Sequence, residues 1–407
     1  MSSQPSQPDT QALAQPHAHA VFHASGLGGY AGARAVEGCW CIDQGTTDPV
    51  GAIERVMDQH QTRGCAWAML LGYELGGWCE PHARSVVPDP LGFPLCVLMR
   101  LGDPVQDHDG DRGEYALGRA GSSTGRARYV QQVERVRAYI GAGDIYQANI
   151  AHHLSCKFDG DPLACAQDLQ RGAEPRYGAT MRFEHRDLSH TICSVSPELF
   201  VRLDRPSGRI ETEPMKGTRS IDGDAAELEQ SPKDRAELNM ITDLMRNDLG
   251  RVCRLGSVRV SQARKIEPHA SGVIQASSVI EGLLREGIGI GALIRAIFPP
   301  GSVTGAPKVR AMQIIDELEQ RPRRSYCGSM MHIDERGNIE ASVCIRTAHI
   351  WGEAGASGPA RITNGQFVYP VGAGIVADSD PESEWQETLV KAGVLRTALG
   401  LDLAQLG

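Results

Sequence analysis

The sequence has no apolar run near the ~18 residues that a helical membrane span needs, so no membrane role is expected. It also lacks positive charge. Net charge is −9 over 407 residues, the wrong balance for neutralising nucleic-acid phosphates. Aromatic residues make up only 5%. Cysteines number eleven, yet no C-x-x-C occurs and the count is odd. Several, such as Cys96, sit in apolar runs. This is the usage of reduced cytosolic thiols acting as small hydrophobes, and the ligand spacing of a structural zinc site is missing. A cytoplasmic location is therefore expected. Residues 1–20 have neither the basic start nor the apolar stretch of a signal peptide. Rich in Ser, Gln, Pro and His, they read as a disordered tail. No repeat of solenoid period is present.

What is there fits a globular chain, with 41% hydrophobic and 22% charged residues. The length suits one large core or two modest domains. Residues 21–115 read as an N-terminal α/β subdomain with strands near 66–73 and 91–99. Residues 102–125 are polar and glycine-rich, like an internal linker. Residues 126–407 read as the larger region, integrated with the N-terminal part. A helix is expected over 126–142, where Tyr129, Val133, Val136 and Ile140 recur at helical spacing. Strands are expected over 145–151, 194–203 and 342–351, with Glu198 near the middle of the second. Asn364-Gly365 reads as a tight hairpin turn. Glu213-Pro214-Met215-Lys216-Gly217-Thr218 reads as a polar loop with one lysine.

Two helices carry acids three residues apart. Ser231, Pro232 and Asp234 form an N-terminal capping pattern, and Glu237 follows on the same face as Asp234. Capping explains Asp234 but not Glu237. Asp380 and Pro381 open another helix, with Glu384, Glu387 and Lys391 on one face. If the acidic faces meet, they make a hard-oxygen site of the kind magnesium uses; solvated, salt-bridged faces are the plain alternative, and spacing leaves both open. Between the helices lies Gly301-Ser302-Val303-Thr304-Gly305-Ala306-Pro307-Lys308, a glycine-rich turn into a helix. It does not follow the Walker pattern, so a nucleotide site is not expected. Gly372 and Gly374 interrupt an apolar strand, as a bulge or as a place of close approach to a ligand.

These motifs together resemble the chorismate-utilising enzymes, and within them the aminodeoxychorismate synthase component I branch. The resemblance rests on Gly72-Tyr73-Glu74-Leu75-Gly76, Gly143-Asp144-Ile145-Tyr146-Gln147-Ala148-Asn149, Ser196-Pro197-Glu198, Pro214-Met215-Lys216-Gly217-Thr218, residues 233–251, residues 301–308, Ile345-Arg346-Thr347 and Gly372-Ala373-Gly374. It implies an α/β (α+β) fold of two packed β-sheets with helices outside and the active site between. It implies Lys216 as nucleophile on chorismate and Glu198 as acid/base. It implies Mg²⁺ on Glu237 and Glu387, with Asp234 and Glu384 in a second layer. Thr218, Thr304, Arg346, Gly372, Ala373, Gly374 and Lys391 are the implied substrate-binding residues. Ammonia would come from a separate glutamine amidotransferase subunit. The sequence departs from the family pattern at three places: Gln275 stands where a histidine is usual, Met331-His332 replaces a Gly-Tyr, and Pro214-Met215-Lys216 mildly alters a Pro-Ile-Lys. Glutamine cannot carry a proton at neutral pH. Anthranilate synthase component I and a catalytically weak chorismate-binding regulator are the alternatives.

Overall fold

The computed structural model describes residues 18–24, 32–62, 64–105, 113–220, 225–269, 273–355, 358–403 and 406. Most of the expected N-terminal tail, residues 1–17, lies outside them; its last two residues already belong to the strand His19–Ala24.

Nineteen strands join one hydrogen-bonded sheet, with every described pairing antiparallel. The ladder starts at Gln147–Gly160 and passes through Gly358–Ile375, Thr347–Gly355, Leu188–Ser196 and Tyr177–His185. His19–Ala24 and Gly32–Ile42 carry it across to Cys96–Val105 and Ala66–Leu71. It ends through Ser329–Ile333, Ile339–Val343, Leu199–Asp204, Arg209–Glu213, Val273–Leu283 and Arg259–His269. The sheet folds over itself. Leu70, Phe93 and Met99 of one half pack with Met181, Phe183 and Ile192 of the other. The two packed sheets expected from sequence are thus two layers of one ladder. Burying each such side chain contributes about 1.5–3 kcal/mol.

Helices cover the outer faces. Pro49–His60, Pro162–Ala173, Pro232–Gly250 and Pro381–Lys391 each begin with proline behind a capping Asp or Ser whose oxygen accepts a backbone N–H. Such a cap is worth about 1 kcal/mol. Tyr129 and Trp385 join Ile150, Ile315 and Ala373 in a core under the helices Arg126–Gly141, Lys308–Glu319 and Pro381–Lys391.

Several expectations are corrected. The strand expected over 194–203 is two strands, broken at Pro197-Glu198, because proline has no N–H for the ladder. Glu198 sits in that break. The strand over 342–351 is also two, parted at Arg346, whose φ is +50°. Asn364 has φ +52°, but within the continuous strand Gly358–Ile375. The pairing shifts register between Ile362 and Gly365. Asn-Gly makes a bulge there and not a hairpin. The supposed linker contains Tyr115–Leu117 and Gly121–Ser122, both paired with Gln147–Gly160. The supposed loop around Lys216 is the strand Met215–Ser220.

Candidate active site

Lys216 is placed by a fault in the ladder. Met215 lies opposite Ser277 and Thr218 opposite Gln275. One strand advances three residues while the other advances two, which is a bulge. Gly217 adopts φ +82°, a conformation that suits glycine. A Cβ there would also lie 3.0 Å from Asp234 Oδ1. The bulge sends Lys216 across to the other end of the sheet. A Cβ on Gly374 would lie 2.8 Å from Lys216 Nζ and 2.6 Å from Gln147 Nε2. The two ends of the ladder therefore meet at this lysine, and a side chain at 374 would displace the ends of Lys216 and Gln147.

Burial lowers the proton affinity of Lys216 from its ordinary value. The carboxylates of Glu237, Glu198 and Glu387 oppose that shift, and the Lys391 ammonium adds to it. Four of the sequence-derived site residues are therefore close enough for their charges to act on Lys216. Glu198 is 4% exposed. Burial pushes its carboxyl up to about 7. Ser302, whose Oγ donates to Glu198 Oε1 at 2.5 Å, works against that rise, as do Lys216 and the Met215 N–H. An amine pulled towards neutrality and an acid pushed towards protonation thus share one buried space.

The acids occupy two helices. Asp234 N–H donates to the capping Ser231 Oγ at 3.2 Å, and the Asp234 carboxyl lies against Gly217. Glu237 is partly buried one turn on. Across the site, Lys391 Nζ pairs with Glu387 Oε1 at 2.6 Å and donates to Gly372 O at 2.9 Å. Glu384 is buried; after burial itself, Glu384 and Glu387 raise the Tyr129 phenol. Among the described residues no three His, Cys, Asp or Glu side chains form a ready-made metal site. Magnesium does not require three, since it takes one or two carboxylates and keeps waters and substrate oxygens. Glu237 and Glu387 fit that pattern in donor type and in their shared proximity to Lys216.

The remaining sequence-derived residues have varied settings. Thr304 is buried, and its hydroxyl donates back to Pro300 O and Gly301 O, each at 3.2 Å. Ala373 belongs to the helix-side core, so only its backbone faces the site. Arg346 lies near Tyr369; burial lowers its proton affinity and the phenol opposes this. The Thr218 side chain lies outside the described part. Gln275 is buried on the strand beside Thr218. His332 instead lines a separate cavity of about 240 Å³ with Phe22, Tyr177 and Arg202.

Sequence reasoning missed Gln147 and Asn149. They are 0% and 7% exposed. Gln147 Nε2 and Oε1 and Asn149 Oδ1 have no hydrogen-bond partner among the described residues. A buried amide left unpaired costs roughly 1–3 kcal/mol, which makes both side chains candidates for binding a polar ligand. Two amides at i, i+2 in a buried strand share one face, and that spacing was the available signal.

The family model described as chorismate binding enzyme matches residues 106–397. The chain belongs to this family. Aminodeoxychorismate synthase component 1 of Klebsiella aerogenes is 39% identical over 337 residues, covering 80% of this chain and 67% of the relative. The protein of the same name in Escherichia coli is 39% identical over 66% of this chain, and the match spans only 57% of the relative's length. Anthranilate synthase component 1 1 of Haloarcula marismortui is 38% identical over 81% of this chain and 62% of its own. Among solved structures, anthranilate synthase component I from Streptococcus pneumoniae superposes with a TM-score of 0.72 at 22% identity, covering 96% of this chain and 94% of that one. At that identity the likeness speaks for the fold.

Proposed function

We propose that this chain is the chorismate-converting component of an aminodeoxychorismate synthase, feeding p-aminobenzoate and folate synthesis. The observation that carries the reading is Lys216: largely buried, lowered in proton affinity, without an ion pair among the described residues, and beside an acid raised to about 7. A neutral amine is a nucleophile, and a protonated carboxyl can assist a leaving hydroxyl. The Lys216 amine attacks C2 of chorismate, both ring double bonds shift along the conjugated diene towards C4, and the C4 hydroxyl leaves as water with a proton from Glu198. Ammonia then attacks C4, both double bonds shift back, and the C2–N bond to Lys216 breaks. The product is 4-amino-4-deoxychorismate, and Lys216 regains its free amine. A covalent adduct divides one difficult displacement into two easier ones.

Glu237 and Glu387, with Asp234 and Glu384 behind them, would hold Mg²⁺, which when bound neutralises the ring carboxylate. Lys391, Arg346 and the backbone at Gly372 and Gly374 orient the substrate. The relatives' designation as component 1 supports a partner, here a glutamine amidotransferase supplying ammonia. The test is purified protein with chorismate, ammonium and Mg²⁺, with products identified by mass spectrometry. Aminodeoxychorismate is the expected product. Anthranilate formation is the second reading, favoured by the 38% identity to the Haloarcula protein; anthranilate as sole product would establish it and remove the first.

A further inference from the structure

Ser302 and Glu198 are buried, at 6% and 4% exposure, and come from distant parts of the chain. The turn Gly301–Val303 that carries Ser302 is held from three sides. Gly301 packs on Leu244 of the helix Pro232–Gly250, where a Cβ would lie 2.7 Å from the leucine. Thr304 Oγ1 donates back into the turn. Arg323 Nη1 donates to Val303 O at 3.1 Å. The Ser302 hydroxyl therefore starts from a fixed place. Glu198 is different, because it sits in a two-residue gap between strands. Its backbone is secured, N–H to Ser196 Oγ at 3.2 Å and C=O from Val343 N–H at 3.1 Å, but neither bond orients the carboxyl.

We propose that Ser302 is a positioning residue for Glu198: its hydroxyl holds the carboxyl by Oε1 in the orientation from which it exchanges a proton with substrate. The inference deepens the aminodeoxychorismate reading and rests on it for the identity of that substrate. The other groups facing Glu198 are Lys216, Glu213, the Cys327 thiol and the Met215 N–H. Of these, Lys216 and Met215 act in the same direction as Ser302, and Glu213 acts against them. Only Ser302 combines a direct side-chain contact with a rigid mount.

The experiment compares Ser302→Ala, Ser302→Thr and Glu198→Gln with the wild type. Ser302→Ala should lower kcat roughly 10-fold with KM little changed, since one hydrogen bond to a charged group is lost. Removing a donor to the charged form should also move the Glu198 limb of the pH–rate profile to higher pH. Ser302→Thr keeps the hydroxyl and should recover most of the rate. In the Glu198→Gln background, Ser302→Ala should add almost nothing. A readout without substrate is the infrared carbonyl band of protonated Glu198, isolated by subtracting Glu198→Gln and followed through pH. Its midpoint should rise in Ser302→Ala. An unmoved midpoint, or rate losses that multiply across the two sites, would overturn the proposal. If the wild type fails to turn over chorismate, the functional reading falls, and the infrared titration still decides whether Ser302 governs Glu198.

Discussion

The protein shields two lysines from solvent, Lys308 buried and Lys216 partly buried, and they have opposite settings. Lys308, 7% exposed, points its ammonium at Asp248 Oδ2, 2.6 Å away, and at Ile297 O at 3.4 Å. Lys216 has no ion pair among the described residues, and burial lowers its proton affinity. The Lys308 pair ties the start of the helix Lys308–Glu319 to the acid-bearing helix Pro232–Gly250. Its charge is matched, so it serves as a fastening. Lys216 faces the carboxylates of Glu237, Glu198 and Glu387 without an ion pair to any of them among the described residues, and under the proposed function its amine does the chemistry. The contrast separates two settings for a shielded lysine: one has a carboxylate at hydrogen-bonding distance and the other, among the described residues, does not.

The largest effect should come from the unpaired lysine. Lys216→Ala is expected to reduce kcat by at least about 10³-fold, while the thermal midpoint stays close to that of the wild type. Loss of stability comparable to the loss of activity would erase the contrast. The paired lysine should behave in reverse. Lys308→Met strands Asp248, whose carboxyl burial already pushes up to about 6, and should cost about 3–5 kcal/mol in denaturant unfolding. Lys308 lowers the proton affinity of Asp248. The deficit should therefore shrink as pH falls and the orphaned carboxyl takes a proton.

Glu198 adds a third, intermediate effect. Its folded value, about 7, lies above the ordinary 4.5. The folded state thus binds more protons between those values, and stability falls as pH rises through that window. Glu198→Gln should remove this fall, leaving the variant more stable than wild type at pH 8 by up to about 3 kcal/mol and no more stable at pH 4. Calorimetry at both values decides it. The smallest effect concerns Lys391, half-exposed and paired with Glu387. Lys391→Met should tighten Mn²⁺ binding, measured by electron paramagnetic resonance, by roughly 2- to 5-fold, the scale of an exposed ion pair. Unchanged affinity would separate Glu387 from the metal seat.

Much of this was legible in the sequence. The capped starts at Ser231-Pro232 and Asp380-Pro381 were readable because capping is a local property. The family motifs marked Lys216, Glu198 and the two acid-bearing helices, and the fold brings their charges together. What stayed hidden depends on long-range pairing. Lys216 lies in a strand and not a loop, because a bulge against Val273–Leu283 supplies its geometry. Asn364-Gly365 carries a hairpin signal, yet the flanking strand continues through it, paired to Gln147–Gly160. Gln147 and Asn149 look like ordinary polar strand residues until burial removes water from both. Ser302 lies inside a family motif, but its bond to Glu198 was hidden because the partner is 104 residues away.

The outer edge of the strand Gln147–Gly160 is covered by three short pieces, Tyr115–Leu117, Gly121–Ser122 and Gly305–Ala306. An uncovered edge invites another chain to add itself. The last of those pieces continues the turn that carries Ser302 and Thr304, so one segment both supplies the Ser302 contact to Glu198 and shields the sheet edge. A change that loosens this turn would release a sticky margin at the same moment that it disarms the enzyme. Defective molecules of that kind would leave solution as aggregates.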